Sequence, residues 1–161
     1  MRERRLVTIL LMVVMVGAWA PRALAATGFR QVQSGVGFSA TIQRIRGFLR
    51  QHHVPLIKII HHAAMAHRVG IALAPEELMI FGSPKVGAKL MQENPRIGVD
   101  LPMKVIVWCA GGHECRQPGS VWVGFDRPTY LAQRFGLSPS QPIIRHLHGF
   151  FAGLARVVAA R

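Results

Sequence analysis

Acidic residues are scarce in this chain: seven Asp and Glu stand against 20 Lys and Arg, a formal charge of +13. Beyond residue 25 the acids are Glu76, Glu77, Glu93, Asp100, Glu114 and Asp126. No two of them have a spacing that marks acid–base work. No Ser sits in a G-x-S-x-G elbow. The only thiols, Cys109 and Cys115, do not form the C-x-x-C of a redox pair. The basic residues are scattered singly, with no run of four and no interleaved aromatics, which excludes a nucleic-acid partner despite the charge. There is no internal repeat and no low-complexity linker. These absences lean away from an enzyme and leave a binding module as the first reading.

What is present begins with a leader. Arg2, Arg4 and Arg5 precede an apolar run from Leu6 to Ala20, and Ala23-Leu24-Ala25 comes before Ala26. That order is the grammar of a signal peptide over residues 1–25, cleaved between Ala25 and Ala26. The run is roughly 15 residues, short of the about 20 that span a bilayer; an uncleaved anchor is the alternative. The expectation is a periplasmic or secreted mature chain, residues 26–161, long enough for one core. Its charge falls to about +10, which suits solubility or attraction to anionic lipid.

Leu101–Trp108 and Ser120–Phe125 read as two strands around the turn-forming Ala110-Gly-Gly-His-Glu114. Cys109 and Cys115 flank that tip, within disulfide reach across a hairpin, and an exported compartment permits the bond. Cys109, His113 and Cys115 as three Zn or Cu ligands remain an alternative, with the fourth ligand unaccounted for.

Elsewhere Phe29–Ser34 reads as a short strand. Phe38, Ile42, Ile45 and Leu49 recur at helical spacing, with Arg44, Arg46 and Arg50 around them. Leu56–His62 and Glu77–Phe81 are dense strands, and Lys85–Asn94 and Pro128–Phe135 short helices. Residues 141–160 form an amphipathic helix, capped by Ser140 with Pro142 in its first turn. Its stripe of Ile143, Ile144, Leu147, Phe150, Phe151, Leu154, Val157 and Val158 opposes Arg145, His148 and Arg156. Such a helix covers its own sheet or lies on a membrane surface. The irregular alternation with one hairpin argues α+β, a mixed, largely antiparallel sheet with helices packed on one face.

Several stretches together resemble the family known as domain of unknown function 302, over residues 34–137. They are His62-Ala-Ala-Met-Ala-His-Arg-Val-Gly70, Leu78-Met-Ile-Phe-Gly-Ser-Pro-Lys-Val-Gly87, Leu90-Met-Gln with Asn94-Pro95, Asp100-Leu-Pro-Met-Lys-Val-Ile-Val-Trp108 and Pro128-Thr-Tyr-Leu-Ala-Gln-Arg134. The resemblance implies a compact α+β domain, a homodimer and no established activity; it transfers fold, not chemistry. The chain departs from the family pattern at His61, where Asp is usual, and at Ser83, where the family loop has Asn. It departs again at Phe125-Asp-Arg-Pro128 and in the longer, cysteine-bearing tip.

Two constellations can carry chemistry. His61, His62, Met65 and His67 supply the nitrogen and sulfur donors that Cu, Zn or haem iron accept, although no carboxylate lies near them in sequence; surface or structural histidines are the plainer reading. The loop Phe81-Gly82-Ser83-Pro84-Lys85 opens a helix and can hold an anionic or other small ligand, unless Ser83 serves only as a cap. His62, Ser83 and Lys85 are expected to line one small pocket if His62 faces inward beside that loop. The expected function is non-enzymatic binding of a small ligand or partner without a cofactor; a metal or haem protein is the alternative.

Overall fold

In the computed structural model, residues 28–110, 115–116 and 119–161 are described. The leader, its cleavage site, and His113 and Glu114 of the hairpin tip lie outside them. Phe29–Gln33 (β1) leads into Phe38–Gln51 (α1), then Leu56–His61 (β2), His62–Arg68 (α2) and Glu76–Phe81 (β3). Pro84–Glu93 (α3) and a 3-10 turn at Pro95–Val99 precede the strands Met103–Cys109 (β4) and Val121–Asp126 (β5). Pro128–Arg134 (α4) and Pro142–Ala159 (α5) complete the domain.

The five strands form one sheet in the order β1-β5-β4-β3-β2, and every pairing is antiparallel. This is the expected α+β fold. β1 and β2 lie at opposite edges, so α1 must cross the sheet between them. It crosses on the face where Met79, Phe81, Val105, Val107, Val121 and Val123 point, burying Ile42, Ile45, Phe48 and Leu49 against them. α5 lies beside α1 and buries Phe151, Leu154 and Val158 in the same cluster. Alternation along β4 is strict, with Met103, Val105, Val107 and Cys109 buried and the residues between them half-exposed. Most of the apolar stripe of α5 is thus spent on the core, with Val157 left exposed at its margin.

The other sheet face carries an aromatic row. Trp108 stacks on Trp122 at 6.5 Å and Phe29 lies 6.4 Å from Trp108. Phe29 crosses directly over Gly124, where an added Cβ would come within 2.1 Å of the ring. A side chain there would displace β1's aromatic, which is why β5 has glycine at that register.

Two helix starts differ from the sequence expectation. Ser140 does not cap α5; its hydroxyl is engaged by Ser138 at 2.8 Å, and Gln141 takes the cap position. Ser83 does occupy the cap position of α3 with Pro84 following, but its side chain makes no capping bond. Its carbonyl accepts from the N–H groups of Val86 and Gly87, each at 3.0 Å. At the far end of α5, the Arg44 guanidinium donates to the terminal carbonyls of Val157 and Ala160, satisfying groups a helix C-terminus leaves bare.

Candidate functional site

A second apolar cluster, built from Leu90, Ile97, Ala132, Leu137, Ile144 and Leu147, joins α3, α4 and α5. Where it meets the main core the packing is incomplete. A cavity of about 430 Å³ opens there, lined by Phe81, Met103 and Phe151 from one cluster and Leu90 and Leu147 from the other. Gly82, Ser83 and Pro84 form one rim, and Gly87 and Met91 bring α3 alongside. Ser83 and His146 are the only lining residues with polar side chains. The volume falls in the range that holds small ligands.

The sequence placed His62, Ser83 and Lys85 in one pocket; the structure brings Ser83 to the cavity and leaves His62 elsewhere. His62 sits at the start of α2, next to Glu76 at the beginning of β3, whereas Ser83 follows the end of that strand. The length of β3 separates them by roughly 16 Å at the usual rise per residue. Lys85 is exposed on the first turn of α3 and is not among the residues lining the cavity.

The histidine group has a geometry of its own. His61 pairs across the sheet with Glu77, its Nδ1 at 2.9 Å from Glu77 Oε1. His62 Nδ1 lies 2.7 Å from Glu76 Oε1. A carboxylate only accepts, so each ring donates from Nδ1; in the neutral ring Nε2 then keeps its lone pair. The two pairs lie on opposite faces, because the register carries alternate residues to alternate sides. Met65 is 55 % exposed and His67 is exposed. No three His, Cys, Asp or Glu side chains gather into a metal-binding group among the described residues. The acids were visible in the sequence as Glu76-Glu77, and the complementary His61-His62 was the signal; what was missing was the antiparallel register that joins them.

Cys109 and Cys115 form a disulfide with their Cα atoms 5.9 Å apart. Both sulfurs are therefore taken up, leaving no thiolate for a metal. Asp100 follows the 3-10 segment as its C-cap and accepts a 2.9 Å hydrogen bond from Arg134. That contact joins two of the sequence stretches singled out above.

Comparison with known proteins agrees with this architecture. The model of the family described as "Domain of unknown function DUF302" matches residues 30–154, well into α5. A crystal structure of an uncharacterized conserved DUF302 protein from Bacillus stearothermophilus superposes with a TM-score of 0.70. It is 20% identical, and the match covers 83% of this chain and 99% of that one. Two curated relatives are 33% identical over 117 residues, 73% of this chain: Fluoride-specific ion channel FluC 1 of Brucella suis biovar 1 (strain 1330) and of Brucella abortus biovar 1 (strain 9-941). The match takes in 44% and 41% of those proteins, so the chain spans less than half their length. On the family model and the shared fold together, the chain belongs to the DUF302 family.

Proposed function

We propose that this domain is a non-enzymatic binding module for a small, largely apolar ligand, held in the cavity between α3 and α5. The observation that carries the reading is a recess of about 430 Å³ with a nearly all-hydrocarbon wall and a single hydroxyl, Ser83, at its rim. Burying ligand surface against such a wall contributes about 0.8 kcal/mol per methylene, and one polar group suffices to orient it. Among the described residues no helix is long and apolar enough to cross a membrane.

Gly87 offers a test that separates binding from folding. It lines the cavity, and a Cβ added there would meet only Leu101 Cδ1 at 4.0 Å. A Gly inside a helix costs about 1 kcal/mol relative to a good helix former, so Gly87→Leu is expected to fold at least as stably as the parent. Its side chain occupies part of the recess that a ligand would need. Binding of a neutral apolar probe such as decanol, followed by calorimetry, should fall at least tenfold. Unchanged binding in a folded Gly87→Leu protein would remove the cavity as the site.

A second reading, a Cu, Zn or haem protein using His61, His62, Met65 and His67, is favoured by one observation: both histidines have carboxylate partners. A ligand histidine usually donates its other N–H to a carboxylate, and losing that partner costs 10–100-fold in affinity. Equimolar metal uptake by the dialysed protein, weakened about 10–100-fold by Glu76→Gln, is the outcome this reading expects. A protein that takes up neither metal nor haem ends it.

A further inference from the structure

Beside the cavity lies a second, more open recess of about 700 Å³ between α1 and α5. His146 and Phe150 line both. The two recesses are therefore neighbours across a shared wall, yet their chemistry differs sharply. The second is flanked by Arg145, Arg156 and His52, all exposed, with Phe48 against Phe150 at 5.0 Å. No carboxylate lines either recess. Neither α1 nor α5 contains a single Asp or Glu. Among the described residues, no ion pair or hydrogen bond engages the side chain of Arg145 or Arg156; the salt bridges present are those of Glu76, Glu77 and Asp100.

We infer that the ligand is a single-chain anionic amphiphile, its hydrocarbon tail in the apolar cavity and its carboxylate or phosphate head in the groove at Arg145 and His146, with Arg156, about three turns further along α5, adding to the positive field of the same groove. This rests on the cavity reading above and adds the head group to it. A hydrocarbon chamber alone cannot distinguish an alcohol from an acid of the same length. Two guanidiniums without counter-ions on the adjoining wall do so, because an anion there gains charge-assisted hydrogen bonds that a neutral head does not. Gly149 keeps the groove open where α5 would otherwise project a side chain, whereas Gly153 makes room for the Phe48 ring, 3.2 Å from where a Cβ would stand. At Gly149 an added Cβ would meet nothing within 4 Å, so the opening is available space. No acidic side chain lining the groove offsets its cationic charge, and its apolar surface is Phe48, Phe150, Val157 and Ala160, of which Phe150 also lines the chamber.

Titrating the purified chain with decanol, decanoate and decyl phosphate tests the head group, and vesicles of phosphatidylglycerol test a lipid surface as the source. The expected result is decanoate or decyl phosphate binding at least tenfold tighter than decanol at 50 mM salt. That preference should shrink at 500 mM salt and fall to near unity in Arg145→Gln/Arg156→Gln. Equal binding of all three overturns the head-group inference and leaves the cavity reading standing. No binding of any overturns both. Adsorption to vesicles with no uptake of the monomeric amphiphiles overturns it in favour of a surface contact. Because both arginines are exposed, an unchanged circular dichroism spectrum and melting temperature are expected for the double variant, which guards against a folding artefact.

Discussion

Phe151→Ala is expected to destabilise the domain by about 3–5 kcal/mol, the range for deleting a buried aromatic. The ring is 2 % exposed, stacks on Phe125 at 4.7 Å and meets Phe150 edge-on at 5.6 Å. Phe81 lies 6.1 Å away on β3. It is thus the point at which α5 is fixed to two strands at once. Cost within this range depends on how far the surroundings can collapse into the space. Here they cannot collapse easily, because Phe151 already borders the cavity, and removing it enlarges an existing void instead of drawing neighbours in. The upper part of the range is therefore expected. Since whole domains are stable by only about 5–15 kcal/mol, the variant should lose a large share of its urea midpoint. Val157→Ala, one turn and a half further on, is 37% exposed and should change stability by less than about 0.5 kcal/mol. A small effect at Phe151 would mean that α5 is not docked as described.

The contrast between those two positions also shows what was legible in advance. The helical period of α5 named eight apolar residues on one arc, and the structure buries Ile144, Leu147, Phe151, Leu154 and Val158 among them. Period alone could not tell that Val157 sits at the margin, since that depends on where α1 lies. The hairpin strands were legible because β-branched and aromatic residues alternate between Gly-rich turns. Ser140 has the residue type of an α5 cap, but type is blind to the competing bond with Ser138, and Gln141 takes the position. Long-range pairing was the real gap. Nothing local says that His61-His62 meets Glu77-Glu76, and nothing local says that α3 and α5 leave a void between two clusters. Nothing local marks His146 either: a histidine on the polar side of an amphipathic helix has the pattern of a solvated residue, and only the fold sets it between the two recesses.

Ser83 is the informative middle case. Its residue type and its place before Pro84 pointed to the right helix start, and the structure puts it at the cavity rim. Its pairing with His62 failed because two residues at opposite ends of one strand cannot share a small pocket. Sequence patterns locate residues on elements well; which elements' ends meet is decided by topology.

Reduction of Cys109–Cys115 is expected to lower stability by about 2.3 kcal/mol and the melting temperature by roughly 8 °C. The bond closes a short loop, with a sequence separation of 6, so chain entropy places it low in the usual range. Its position adds a second effect. The Phe38 N–H donates to the Cys115 carbonyl at 2.9 Å, which anchors the first turn of α1 to the hairpin tip. Gly37 makes that approach possible, since a Cβ there would lie 2.6 Å from the Arg116 carbonyl oxygen. Freeing Cys115 therefore loosens the start of the helix that crosses the whole sheet, and Cys115→Ser should cost at least as much as reduction. Because both sulfurs are joined in the disulfide, thiol reagents should detect no free cysteine in the native oxidised protein and two after unfolding in reductant. A bond of this kind persists only where the surroundings are oxidising. If the chain works outside the cytosol as its leader suggests, protein recovered from the cell envelope should begin at Ala26 and carry no reactive thiol. Recovery with residues 1–25 attached and both thiols titratable would contradict export and would leave the anchor of α1 unlocked in the working protein.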